Sequence, residues 1–126
     1  MGIRGYGSTM DKAFEQAALG LTAIICDPAT VRPEIPIQIQ CQAPDNELLL
    51  TDWLNALIYE MATRRMLFSR FHAHITDAVL TATAWGEAVD QQRHKPVVET
   101  KGATYTELCV TRQENGVWVA QCVIDV

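Results

Sequence analysis

No apolar run in the chain approaches the roughly 20 residues that a membrane-spanning helix needs, and Met1 to Gly7 has no apolar stretch like that of a secretory signal. A cytoplasmic protein without membrane contact is expected. The four cysteines, Cys26, Cys41, Cys109 and Cys122, make no C-x-x-C pair, which excludes the usual zinc and dithiol motifs and leaves buried thiols as the default. There is no H-E-x-x-H, no phosphate-cradling glycine loop and no nucleophile elbow. Basic residues are scarce too: ten Lys and Arg stand against fifteen Asp and Glu, giving a net charge of -5 without any basic stripe. The attraction that dominates nucleic-acid affinity is therefore weak or adverse. Direct nucleic-acid binding is not expected, and any RNA involved is held by a partner.

What is present suits one globular domain. The 126 residues are 48% hydrophobic and 20% charged, enough to bury a single core. In "STMDKAFEQAALGLTAII", Ser8 or Thr9 can cap a helix whose apolar residues Ala13, Phe14, Ala17, Ala18, Leu21 and Ile24 share one face. Pro28 ends it near Cys26. The segment "EIPIQIQCQA" alternates strictly and reads as a half-buried strand, with Pro36 assigning it to a sheet edge. A second helix follows in "DNELLLTDWLNALIYEMAT", capped by Asp45 or Asn46. Then "MLFSRFHAHITDAVLTATAWG" reads as two strands in a hairpin broken near Thr76 and Asp77, and "GEAVDQQRHKP" as an exposed loop. Two or three strands close the chain. The expected fold is α+β: a single domain over residues 1–126, with about six or seven antiparallel strands and two main helices.

The candidates for chemistry are few. If Asn115-Gly116 forms a two-residue turn, Cys109 falls opposite Cys122, close enough for a disulfide, although two packed thiols fit a reducing cytosol better. A three-residue turn with a bulge would break that register. His72 and His74 share a strand face with Arg70 and could hold a metal or a phosphate, but no local Cys or acid joins them and a solvated face is the plainer reading. His94, between Arg93 and Lys95, fits a surface loop. "GIRGYG" does not match the dinucleotide fingerprint and reads as a turn before the first helix. Asp125, among Val123, Ile124 and Val126, is either a solvated strand end or one oxygen donor of a hard-cation site.

Five blocks taken together resemble the archease family: "GIRGYG" before "AFEQAALGL", "LLTDWLNALIYE" followed by "LFSRF", "GEAVD", "ETKGATYTELCV" and "GVWVAQCVIDV". The resemblance runs along nearly the whole chain. It implies an antiparallel sheet with two helices and an accessory role without catalysis of its own. In that role an archease activates an RtcB-type RNA ligase in tRNA splicing and RNA repair, promoting its guanylylation from GTP and its multiple turnover. It also implies a chaperone-like effect on a tRNA methyltransferase as a second role. The family's divalent-metal site, calcium or a similar ion, uses an Asp in an N-terminal His-Thr-Ala-Asp motif, a C-terminal Asp and the carbonyl of the residue after it. Asp125 and Val126 match the latter two. Met1 stands where the motif would precede Gly2, so the chain is expected to lack the extreme N-terminal strand or motif, and with it much of the metal affinity. Lys101 matches the lysine of the family's Glu-x-Lys-x-x-Thr-Tyr block and could bind a phosphate or an acidic partner surface; it could equally be a solvated lysine paired with Glu99. A more remote reading is a small metal-dependent hydrolase using His72, His74 or Asp125.

Overall fold

The computed structural model describes all residues from Met1 to Val126. In chain order the elements are β1 (Gly2–Gly7), α1 (Met10–Ile25), a short 3-10 turn (Pro28–Thr30), β2 (Ile35–Gln42), α2 (Asn46–Arg64), β3 (Met66–Thr76), β4 (Val79–Ala88), α3 (Gln91–His94), β5 (Gly102–Arg112) and β6 (Trp118–Asp125). The strands form two antiparallel three-stranded sheets, ordered β1-β6-β5 and β2-β4-β3.

The helices begin where their caps dictate. Thr9 Oγ1 accepts the Lys12 N–H at 3.2 Å, and Asp45 Oδ1 accepts the Leu48 N–H at 2.8 Å, each satisfying a donor that the helix cannot pair internally. Helix α1 buries Ala13, Phe14, Ala17, Ala18 and Leu21 and touches β1 and β6 of one sheet and β3 of the other. Helix α2 packs mainly on β5 and also reaches β2, β3 and β4. The core between helices and sheets includes Phe14, Leu21, Trp53, Leu54, Leu57, Phe68, Leu80 and Ile124, all essentially without solvent exposure. Trp53 joins the helices by donating Nε1–H to the Phe14 carbonyl at 3.1 Å, and its ring meets Phe71 edge-on at 6.2 Å. Each large apolar side chain buried this way contributes roughly 1.5–3 kcal/mol.

"GIRGYG" is a strand, not a turn. Ile3 and Gly5 face inward while Arg4 and Tyr6 face solvent. A Cβ on Gly5 would collide with the Ala13 carbonyl oxygen and the Ala17 nitrogen, so this glycine exists to let α1 lie directly on β1. The β3 edge is sealed by α1: Glu15 Oε2 accepts the Ala73 N–H at 2.9 Å, and Asp11 Oδ1 accepts the Ile75 N–H at 3.1 Å. Two donors that would template aggregation are thereby occupied. Strand β2 lies at the opposite edge of the same sheet, where Pro36 is tolerated.

The β5–β6 hairpin differs from the two-residue expectation. Gly116 N–H bonds the Gln113 carbonyl at 2.9 Å, Gln113 N–H bonds the Val117 carbonyl at 2.8 Å, and Gly116 has φ +87. This is a three-residue loop closed by a left-handed glycine. Cys109 therefore pairs with Gln121, and Cys122, one residue on, points to the other face of the sheet. All four cysteines are free. The pairing is interrupted between Thr104 and Cys109, where five steps on β5 oppose two on β6. The final count is six strands, because Pro96 to Thr100 runs as a strap outside both sheets.

Candidate functional site

Sequence reasoning singled out Asp125, Val126 and Lys101, and the fold brings them to one end of the β1-β6-β5 sheet. Gly102 pairs with Asp125, and Lys101 N–H donates to the Asp125 carbonyl at 2.8 Å. On the other flank, Met1 and Ile124 exchange both main-chain bonds, at 2.8 and 2.7 Å. Strand β6 is thus held as far as Ile124 on the β1 side and as far as Asp125 on the β5 side. The side chains of Asp125, Val126 and Lys101 are exposed. Lys101 forms no ion pair, with Glu99 or any other acid, so its ammonium group is presented to solvent. Behind this end, Asn55 of α2 accepts the Ala103 N–H at 2.8 Å, and Thr104 Oγ1 donates to the Val123 carbonyl at 3.0 Å. Burial pushes the Cys122 thiol above its ordinary range despite bonds to the Thr104 and Val123 carbonyls that act the other way. That thiol is an inert part of the core.

As it stands, this end does not complete a site for a hard divalent cation. Nowhere do three His, Cys, Asp or Glu side chains converge, whereas such ions take six or more oxygens, several of them carboxylate. Asp125 and the Val126 carbonyl are two donors. The ladder register nevertheless defines where a third would stand. Because Met1 and Ile124 form a hydrogen-bonded pair, the position one step ahead of Met1 would face Asp125 in a non-hydrogen-bonded pair, whose Cα atoms lie only about 4.5 Å apart with side chains on one face.

His72 and His74 lie on the other sheet, both exposed, with Nδ1 atoms 3.9 Å from Glu15 and Asp11 respectively. The fold does not bring them together with Asp125. They flank the carboxylates that seal the β3 edge.

His94 is the residue that the sequence reading misplaced. It is 3% exposed, not on a surface loop, because "GEAVDQQRHKP" continues β4 to Ala88 and then turns through α3. Its Nδ1 accepts the Asp90 N–H at 2.9 Å, so its proton sits on Nε2, which donates to Glu87 Oε2 at 2.9 Å. The same oxygen accepts the Arg32 N–H at 2.7 Å, while Arg93 pairs with the other oxygen. Burial alone would push the Glu87 carboxyl up; the bonds from Arg32, His94 and Arg93 outweigh it and hold the group at about 2. The alternation of Ala82, Ala84 and Gly86 inward should have placed Glu87 beside a covering segment. No signal in the sequence names that cover as α3.

Past this cluster, an open groove of about 430 Å³ lies between the strap and α2, with Ile58, Met61, Met66, Val89, Val98 and Thr100 among its walls. No helix is long and apolar enough to cross a membrane.

The geometry defines an α+β protein of two small antiparallel sheets clasped by two helices, with a charged sheet end and an apolar groove. Comparison with known proteins places it. The model of the Archease protein family (MTH1598/TM1083) matches residues 1–126. Protein archease of Pyrococcus furiosus is 34% identical over 130 residues, covering 100% of this chain and 92% of that protein, and that of Thermococcus gammatolerans is 33% identical over 129 residues, covering 99% and 91%. The solution structure of Methanobacterium thermoautotrophicum protein 1598 superposes with a TM-score of 0.84 at 29% identity, covering 99% of this chain and 91% of the other. A Thermotoga maritima archease, described as a "possible chaperone", shares the fold alone, with a TM-score of 0.63 at 14% identity, covering 100% and 90%. The chain belongs to the archease family.

Proposed function

We propose that the protein is an accessory factor of an RtcB-type RNA ligase, promoting its guanylylation from GTP and its multiple turnover in tRNA splicing or RNA repair. The observation that carries this reading is the convergence of Lys101, Asp125 and Val126 on one exposed sheet end in a member of the archease family. Asp125 and the Val126 carbonyl would hold a divalent ion together with oxygens contributed from outside Met1–Val126. Such an ion would supply positive charge beside the ligase's nucleotide. Lys101 would contact a phosphate or an acidic patch of the ligase as a compact point charge. The net charge of -5 is compatible with this role, since the ligase holds the RNA.

The test is ligase guanylylation with GTP, measured with the Met1–Val126 chain, with a version extended by His-Thr-Ala-Asp ahead of Met1, and with Asp125→Ala in both. Activation by the extended form and its loss in Asp125→Ala are expected. Equal activity of all four would refute the reading. A second reading, a chaperone for a tRNA methyltransferase, is favoured by the apolar groove. It predicts that methyltransferase aggregation falls in the presence of the protein, with Asp125→Ala as effective as the unaltered chain.

A further inference from the structure

His72 and His74 have no acid beside them in the sequence, yet the fold brings one carboxylate to each. Helix α1 carries Asp11 and Glu15 four residues apart, a rise of about 6 Å. The two imidazoles stand two residues apart on one exposed face of β3, about 6.7 Å along the strand. The spacings match, and the partners fall in opposite order: His72 Nδ1 lies 3.9 Å from Glu15 Oε2, and His74 Nδ1 lies 3.9 Å from Asp11 Oδ2. Both carboxylates are anchored, because Glu15 also accepts the Ala73 N–H at 2.9 Å and Asp11 the Ile75 N–H at 3.1 Å. The imidazoles are open to solvent, with 76% and 69% of their side-chain surface exposed.

This pairing decides which ring nitrogen is available. At 3.9 Å the contact is electrostatic, longer than a hydrogen bond, and a carboxylate at that range favours a proton on the nitrogen that faces it. Nδ1 then carries the proton and Nε2 the lone pair. In His74 the Thr76 hydroxyl oxygen lies 3.1 Å from Nε2 and donates to it in that tautomer. Thr76 is exposed, so water can replace the contact. A histidine whose Nδ1–H addresses a carboxylate and whose Nε2 is free has the form of a metal-ligating imidazole, oriented and made more basic by its carboxylate. Here that form occurs twice, side by side.

Charge and neighbours agree with such a ligand. Two neutral imidazoles and two carboxylates carry the charge that a divalent ion cancels. The cross-strand neighbours on β4 are the uncharged Thr83 and Thr81. Arg70, the permanent cation of the same face, has its guanidinium over the Trp85 ring, 4.9 Å from the centroid. Imidazole nitrogen suits late first-row ions, whereas calcium and magnesium take oxygen. No third ligating side chain converges on the pair, so water fills the remaining positions and the ion exchanges freely.

We infer that His72 and His74 together bind one late first-row divalent cation, of the zinc type, through their Nε2 atoms, with Glu15 and Asp11 orienting the rings through Nδ1–H. The site lies on the other sheet from Asp125 and is independent of the ligase reading.

The test is calorimetric titration of the full Met1–Val126 chain with zinc chloride, repeated with calcium chloride, on the unaltered protein and on His72→Gln, His74→Gln, Glu15→Gln, Cys109→Ser and Asp125→Ala. One zinc per chain is expected, with affinity at least roughly tenfold weaker in either histidine variant, each of which removes one of two ligands at an exposed position. Glu15→Gln keeps an oxygen for the Ala73 N–H but removes the charge behind His72, and about tenfold weaker binding is expected. On the unaltered protein, nitrogen-resolved spectra of the imidazoles should show both rings protonated at Nδ1 before zinc and perturbed at Nε2 after it, a readout that does not depend on how the variants fold. Absence of zinc binding, equal affinity in the histidine variants, or calcium bound as tightly as zinc would overturn the inference. Unchanged affinity in Glu15→Gln would overturn the orienting role. Loss of zinc in Cys109→Ser would assign the ion to a thiol, and loss in Asp125→Ala to the sheet end; either would overturn the inference as well.

Discussion

Replacing Glu87 by Ala tests the account of the buried ionic cluster. The substitution removes three partners at once: the Arg32 N–H at 2.7 Å, the His94 Nε2–H at 2.9 Å and the Arg93 guanidinium. The His94 side chain is wholly buried, so its stranded N–H costs about 1–3 kcal/mol; the part-buried Arg32 N–H adds about 1 kcal/mol. Arg93 is one-third exposed and regains water, so its share is a few tenths of a kcal/mol. The expected loss is roughly 3 kcal/mol, read as a shift in urea midpoint at constant slope by circular dichroism at pH 7. Glu87→Gln keeps one oxygen for Arg32 and His94 but sets an amide against Arg93, and should lose roughly 1 kcal/mol. The pH dependence has a definite sign. The Glu87 pKa is lowered in the fold to about 2 from an ordinary 4.5, so its contribution is complete above about 4.5 and disappears as the pH falls toward 2. The gap between the unaltered protein and Glu87→Ala should narrow over that interval. A loss below about 1 kcal/mol, or a gap unchanged between pH 5 and pH 3, would refute the assignment of Glu87 as the charged hub.

Three further outcomes are expected. Ala78 sits at φ 58 in the β3–β4 turn with Asp77 at φ 51, a left-handed pair suited to Asn-Gly, so Ala78→Gly should raise stability by about 1 kcal/mol in urea denaturation. Gly5→Ala forces a methyl group into the Ala13 carbonyl and the Ala17 nitrogen and should cost at least about 2 kcal/mol, seen as a lowered thermal midpoint. Because Cys109 and Cys122 occupy opposite faces, diamide treatment should leave both titratable by a thiol reagent after denaturation; Cys41, pushed by burial and then by Asp52 to about 11, should alkylate slowly in the native state until the pH nears that value.

The legible parts of the sequence were those where local chemistry and tertiary need agree. Thr9 and Asp45 cap their helices, the alternation of Ile35 to Gln42 gives a strand, and Pro36 marks its edge. The misreadings share a physical cause, which is that a distant element supplied the reason for a local choice. Gly5 looks like a turn residue until α1 is laid across it. Polar "DQQRH" looks solvated until Glu87 and the Arg32 backbone close over His94. Asn115-Gly116 favours a tight turn, yet Glu114 joins the loop and shifts the register by one. For the candidate site, sequence could propose Lys101, Asp125 and Val126 singly. Their shared sheet end follows from β5 and β6 pairing across the hairpin, which only the folded chain reveals.

The position of β6 between β1 and β5 has a consequence for synthesis. Sheet β2-β4-β3 is complete once Ala88 has been made, and it can close while translation continues. Strand β1, made first, has no partner until the last strand of the sequence is produced. Throughout that interval β1 has only its packing on α1 to hold it, and a nascent chain stalled before Trp118 would carry both future neighbours of β6 with open edges. Such stalled chains should be the ones that holdase chaperones and proteases capture, whereas a chain released after Asp125 closes its second sheet in one step.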